Sequence, residues 1–172
     1  MTLSARHEVR WLVQGGDNLT LDEQRAMAHK LLQQLVGCSC ELTHDAMGAP
    51  LVVGHPALHV SVSHCRMAVA VAVSEKVEVG IDIECRRKVS RSLIERVCTA
   101  DELAAIDASD DPVITFLRYW TRKEAVLKCR RTGIRGFGSM LEASSPEDCM
   151  VDEIATGMDG VVAAVAYGRS TV

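Results

Sequence analysis

Arg66-Met-Ala-Val-Ala-Val-Ala-Val-Ser74 is the stretch that most narrows the folds open to this chain. From Ala68 to Val73 every residue is apolar, and every second one is β-branched. Such residues favour a strand, and a strand without a polar face has to be covered on both sides. The chain must therefore supply a layer above this strand and another below it. Gly160-Val-Val-Ala-Ala-Val-Ala-Tyr-Gly168 is a second stretch of the same kind. Two readings of this echo stand side by side. Two buried strands of similar composition can simply look alike, or an α+β half has been duplicated with the second half beginning near Val77.

The remaining elements are set by local signals. A strand is expected over 5–14, and Gly15-Gly16-Asp17-Asn18 reads as a turn. Thr20 and Glu23 have the spacing of a capping box ahead of Met27, Leu31, Leu32 and Leu35. They predict a helix over 21–36, stopped at Gly37. A short strand is expected near 39–43, then a loop at Met47-Gly48-Ala49-Pro50. Strands over 59–64, 66–74 and 77–84 read together as an antiparallel meander. A helix follows at 90–97, and Thr99 with Glu102 opens another that runs to about 107. Asp111 and Pro112 form an N-cap and first-turn pair for a long helix over 112–130. Three glycines within 132–138 make that segment a loop, and two or three strands are expected over 139–168.

Charge and cysteine usage exclude several classes. The net charge of −4 argues against a general nucleic-acid binder, which is usually basic. Seven cysteines contain no Cys-x-x-Cys pair, so a structural zinc site is not expected. No apolar run approaches the ~18–20 residues of a bilayer span, and no charged stub precedes an apolar run at the start. A cytoplasmic protein with reduced thiols, without a membrane partner, is the expectation.

Two short segments carry candidate chemistry. In Val79-Gly-Ile-Asp-Ile-Glu84, Asp82 and Glu84 are two apart on a strand, so they share a face opposite Ile81 and Ile83. Adjacent carboxylates repel and need a cation, a shared proton or solvent. Hard oxygen donors of this kind suit Mg²⁺, although a solvated strand edge explains the same pattern. In Trp120-Thr-Arg-Lys-Glu-Ala-Val-Leu-Lys128, Glu124 and Lys128 sit four apart on the helix face that carries Trp120. A surface ion pair beside a core tryptophan is the plain reading of that spacing. Ser63-His64, at the end of an apolar strand, is either structural or a pair of phosphate donors. Arg86, Arg87, Lys88 and Arg91 form a basic cluster, either a solvated loop or a steering patch.

Taken together, these pieces resemble the 4′-phosphopantetheinyl transferase superfamily. The resemblance rests on Gly80-Ile81-Asp82-Ile83-Glu84, then Trp120-Thr-Arg-Lys-Glu-Ala-Val-Leu-Lys128 about forty residues later, with Ser63-His64 and Gly48-Ala49-Pro50 upstream. It is strong over 48–138. The Ser-His strand resembles the surfactin-synthetase-activating type, built like two fused copies of a small synthase fold. The resemblance implies an α+β pseudo-dimer of two similar halves, 1–76 and 77–172, each an antiparallel sheet packed on a long helix. It implies transfer of phosphopantetheine from coenzyme A to a serine of an apo acyl or peptidyl carrier protein, with release of adenosine 3′,5′-bisphosphate. Asp82, Glu84 and Glu124 match the Mg²⁺ ligands of the family, with Asp82, Glu124 and Lys128 at the catalytic centre. Ser63, His64, Lys123 and Lys128 match coenzyme contacts, and Glu102 matches a glutamate opening the helix between the motifs. Ala49 stands where relatives commonly have lysine, which leaves Arg10 or Arg25 as the cation for the 3′-phosphate. A monomer is expected. Two further readings use the same residues: another metal-dependent pyrophosphate enzyme such as a hydrolase, and a carrier-binding module without turnover.

Overall fold

The computed structural model describes residues 2–4, 9–46, 48–132 and 137–169. The chain begins with β1 (Thr2–Ser4), β2 (Val9–Gly15), α1 (Leu21–Val36), β3 (Leu42–His44) and β4 (Pro50–Val52). It continues through β5 (His59–Cys65), β6 (Ala68–Ser74), β7 (Val79–Cys85), α2 (Arg91–Val97), α3 (Ala100–Asp107) and α4 (Pro112–Cys129). It ends with α5 (Phe137–Glu142), β8 (Cys149–Ile154) and β9 (Val161–Gly168). The result is a mixed α+β fold with antiparallel sheets.

β6 lies inside the first sheet, ordered β1-β2-β6-β5, and all seven of its residues are buried. Its valines, Val69, Val71 and Val73, pack with Leu31, Leu32 and Leu35 of α1. Its alanines, Ala68, Ala70 and Ala72, face Ile81 and Ile83 of β7 and Ala163 and Val165 of β9. The second sheet is ordered β7-β9-β8. The other face of β9, Val162, Ala164 and Ala166, packs with Phe116, Leu117 and Val126 of α4. Four layers result, α1, sheet, sheet and α4, so both apolar strands are covered twice as their composition requires.

The helix ends follow their local chemistry. Thr20 and Glu23 form a reciprocal capping box on α1, and Gly37 closes it at φ 81°, a left-handed conformation that glycine adopts without a Cβ penalty. Thr99 with Glu102 caps α3 in the same way, and Asp111 caps α4.

Two expectations are corrected. The meander does not continue from β6 to β7. Both edges of β6 are already taken by β2 and β5, so β7 crosses to the second sheet and pairs with β9. The segment after 138 opens with the helix α5, and two strands follow it. The first strand is described only from Val9, since residues 5–8 lie outside the described set, as does 133–136 within the expected loop.

β5 and β7 meet side by side where the two sheets touch. Ser61 Oγ accepts from the Ile81 amide at 3.0 Å, and Ser63 Oγ accepts from the Ile83 amide at 3.3 Å. Hydroxyls on β5 thus satisfy buried amides of β7 that have no strand partner on that side.

Candidate active site

The site forms where α4 lies against β7, and Gly80 is the reason it can. A Cβ built on Gly80 would stand 2.0 Å from Ala125 O and 2.4 Å from Cys129 N. Only a residue without a side chain lets the helix backbone come this close. Gly80, Asp82 and Glu84 alternate with Ile81 and Ile83, so the face that admits α4 is also the face that carries the carboxylates. The helix then brings Glu124 and Lys128 to them.

Asp82 is buried, at 6% exposure. Its Oδ1 accepts from Lys128 Nζ at 2.7 Å and from Ser63 Oγ at 2.8 Å. Its Oδ2 is buried without a partner. Lys128 also donates to Ile81 O at 3.1 Å. Glu84 accepts from Arg87 Nε at 3.2 Å and Nη2 at 3.3 Å, and the Arg87 guanidinium sits 5.8 Å over the Trp120 ring. Burial pushes the Glu124 carboxyl up to about 7; the charge of Asp82 adds to this, Lys128 opposes it, and Glu84 adds again. Three carboxylates therefore feel one another in one half-buried place.

His64 is at the exposed end of β5. Loss of solvent around the ring lowers its pKa first, then the charges of Lys128 and Arg25. Arg25, on α1 and paired with Asp22 at 3.6 Å, thus borders the same place. Ser63, His64, Arg25, Asp82, Glu84, Glu124 and Lys128 are brought together.

Lys123 and Arg10 are not. Lys123 is 1% exposed and donates to Glu102 Oε2 at 2.6 Å and to Val97 O. Five residues on a helix turn about 140°, so Lys123 points at α2 and α3 while Lys128 points at β7. Expected at the coenzyme, Lys123 instead forms a buried ion pair with Glu102 that ties α4 to α3. Arg10 donates to Leu35 O at 2.8 Å and lines a separate cavity with His55 and Glu75. Arg10 pairs with Val73, whereas Ser63 pairs with Ala70, so Arg10 belongs to the other end of the first sheet.

A cavity of about 180 Å³ opens beside Lys128, lined by Gly48, Ala49, Pro50, Ser61 and Arg131 among others. Arg131 is held at its edge by Asp45 at 3.2 Å. Arg87, placed by the sequence only in a basic cluster, and Arg131, which the sequence did not single out, are cations of this site. The signal for Arg131 was its position three residues after Lys128. In the first basic cluster, Arg86 pairs with Asp111 and Arg91 with Glu95 and Asp107, besides Arg87 with Glu84. Most of the steering charge expected there is thus neutralised.

Among the described residues, no three His, Cys, Asp or Glu side chains are gathered closely enough to hold a metal ion. The donor set nonetheless fits a hard divalent cation. All three groups are carboxylates, Asp82 Oδ2 lacks a partner, and the positive charge now on Asp82 and Glu84 comes from the side chains of Lys128 and Arg87.

Fold and site define an α+β protein with a carboxylate cluster flanked by lysine and arginine at a helix–strand contact. Residues 78–157 match the model of the 4′-phosphopantetheinyl transferase superfamily. A relative from Salmonella typhimurium, the 4′-phosphopantetheinyl transferase AcpT, is 33% identical over 104 residues, 58% of this chain and 54% of the relative. AcpT of Escherichia coli K12 is 35% identical over 94 residues, 52% of this chain and 48% of the relative. The chain spans about half the length of the curated relatives it matches.

Proposed function

We propose that this chain is a phosphopantetheinyl transferase that moves the 4′-phosphopantetheine of coenzyme A onto a serine of an apo acyl or peptidyl carrier protein, releasing adenosine 3′,5′-bisphosphate. The observation that carries the reading is the convergence of Asp82, Glu84 and Glu124 beside Lys128 on the face that Gly80 opens to α4. The superfamily match covers both β7 and α4, and the relatives bear the name of this activity.

Each residue has a physical task in this reading. Asp82, Glu84 and Glu124 would hold Mg²⁺, which when bound offsets the charge of the pyrophosphate and of the leaving group. Lys128 reaches from Asp82 toward the phosphates, and His64 and Arg25 present cations and a ring N–H at the same rim. Glu124 is the acceptor for the serine proton, because among the described residues no arginine or lysine hydrogen-bonds to its carboxylate, unlike those of Asp82 and Glu84. Ser63 orients Asp82 through its 2.8 Å hydrogen bond, a task that replaces the phosphate contact expected of it.

The architecture has the same reading. β2, α1, β5 and β6 repeat the order of β7, α4, β8 and β9, and β2 pairs with β6 as β7 pairs with β9. This repetition supports two similar halves, 1–76 and 77–172, acting as one monomer. No helix among the described residues is long and apolar enough to cross a membrane, and a cytoplasmic setting fits that.

The test is a panel of apo acyl and peptidyl carriers incubated with coenzyme A, Mg²⁺ and the protein, read by intact mass. One carrier should gain the mass of phosphopantetheine, and the gain should vanish with chelator. No gain across the panel sinks the reading. Adenosine bisphosphate released without any carrier would favour a hydrolase built on the same carboxylates.

A further inference from the structure

Away from the carboxylates, two thiols meet where α4 ends and β8 begins. Cys129 is the last residue of α4 and Cys149 the first of β8. Both are buried, at 2% and 4% exposure, and their sulfurs stand 3.7 Å apart. The neighbouring residues pin the same two backbones together. Arg130 Nε donates to Asp148 Oδ2 at 2.9 Å, and Nη2 donates to Oδ1 at 2.6 Å. A cavity of about 230 Å³, lined by Cys129, Cys149, Arg130, Asp148 and Glu78, opens onto the pair.

We propose that Cys129 and Cys149 are a reversible dithiol–disulfide site, oxidised by low-molecular-weight disulfides that enter through this cavity. The geometry is close to what the bond needs. The sulfurs have to close from 3.7 Å to the ~2.05 Å of a disulfide, and the paired Arg130 and Asp148 already hold the two segments side by side. One thiolate attacks the small disulfide, forms a mixed disulfide and expels one small thiolate. The second cysteine then attacks the protein-side sulfur and expels the other. The protein pair loses two electrons and two protons, and the oxidant leaves as two small thiols.

Closure has a consequence for α4. Cys129 Sγ now donates to Glu78 O at 3.3 Å, and Cys129 N lies against Gly80. Bond formation removes that donor and draws the end of α4 toward β8. Lys128, the adjacent residue, is the one that holds Asp82. The oxidised state therefore loosens the last turn of α4, where Arg130 N donates to Val126 O and Arg131 N to Lys128 O.

The experiment uses the full chain with an excess of oxidised glutathione, followed by alkylation, intact mass and peptide mapping. Two alkylation sites should disappear, a peptide linking 129 to 149 should appear, and dithiothreitol should restore both. Cys149→Ser and, separately, Cys129→Ser should each abolish the linked peptide. Amide exchange at 128–131 should be about tenfold faster in the oxidised chain than in the reduced one. The proposal is overturned if both thiols stay fully alkylatable, or if the bridge forms instead between Cys65 and Cys85, the neighbouring thiols at the ends of β5 and β7. A 129–149 bridge with unchanged exchange would overturn the coupling to α4. None of these readouts depends on transferase activity.

Discussion

Replacing Gly80 by alanine adds one methyl group to the contact on which the site depends. The new Cβ would meet Ala125 O at 2.0 Å and Cys129 N at 2.4 Å. Carbon and carbonyl oxygen approach no closer than about 3.3 Å, so α4 must move away from β7 by about 1.3 Å. Both opposing atoms are backbone, and no rotamer change relieves the clash. Movement also parts Phe116, Leu117 and Val126 from β9. Overpacking of this kind costs about 3 kcal/mol, or roughly 6–12 °C in Tm for a chain of this size. The same shift stretches the 2.7 Å contact from Lys128 to Asp82 beyond hydrogen-bond range. A displacement of ~1 Å at a reacting site is worth about a hundredfold in rate. Thermal unfolding and the carrier-transfer rate should therefore both fall in Gly80→Ala. Gly138 is the control, because it is exposed in α5 with nothing within 4 Å of its Cβ position. Gly138→Ala should stabilise by about 0.5–1 kcal/mol with an unchanged rate. A Gly80→Ala variant with the parent Tm and rate would refute the close-approach argument.

Glu124→Gln should abolish transfer and yet stabilise the protein at pH 8. The Glu124 carboxyl is raised from 4.5 to about 7 on folding, so between those values the folded state holds the proton that the unfolded state has lost. Its stability contribution is intact below pH 4.5 and lost as pH rises through 7. Gln removes that penalty, with a gain of about 2 kcal/mol at pH 8 after discounting for solvent screening and none at pH 4, read by denaturant titration at the two pH values. Lys123→Met leaves Glu102 buried without a counter-charge and should cost about 3–5 kcal/mol, while Lys123→Met with Glu102→Gln, which keeps the capping bond from Thr99 N, should recover most of it. The KM for coenzyme A should stay unchanged in the folded Lys123→Met protein; a rise would restore Lys123 as a ligand. Ser63→Ala should lower kcat more than it raises KM, because it frees Asp82 without removing a phosphate contact, and Ser63→Thr should rescue part of the loss.

The sequence by itself determined what depends on neighbours along the chain. Thr20 with Glu23, Thr99 with Glu102, and Asp111 with Pro112 announced helix starts because a cap is built from residues no more than three apart. The all-apolar β6 announced a layer on each face. The strand period put Asp82 and Glu84 on one face, and the helix period put Glu124 and Lys128 on another. Tertiary structure decided which of these faces meet. β7 left β6 for β9 because both edges of β6 were occupied, one by its hairpin neighbour β5 and the other by the distant β2. Lys123 and Lys128 look equivalent in the sequence, but the seating of α4 on Gly80 sends one into a buried pair and the other to Asp82. Ser63 was legible as a polar residue at a strand end, and only the seam between β5 and β7 gave its hydroxyl to Asp82. Cys129 and Cys149 are 20 residues apart with no motif to join them, and they meet because α4 and β8 pack together. Local periodicity orients a side chain relative to its own element. Its partner is set by packing free energy summed over the whole core, which no short window of sequence contains.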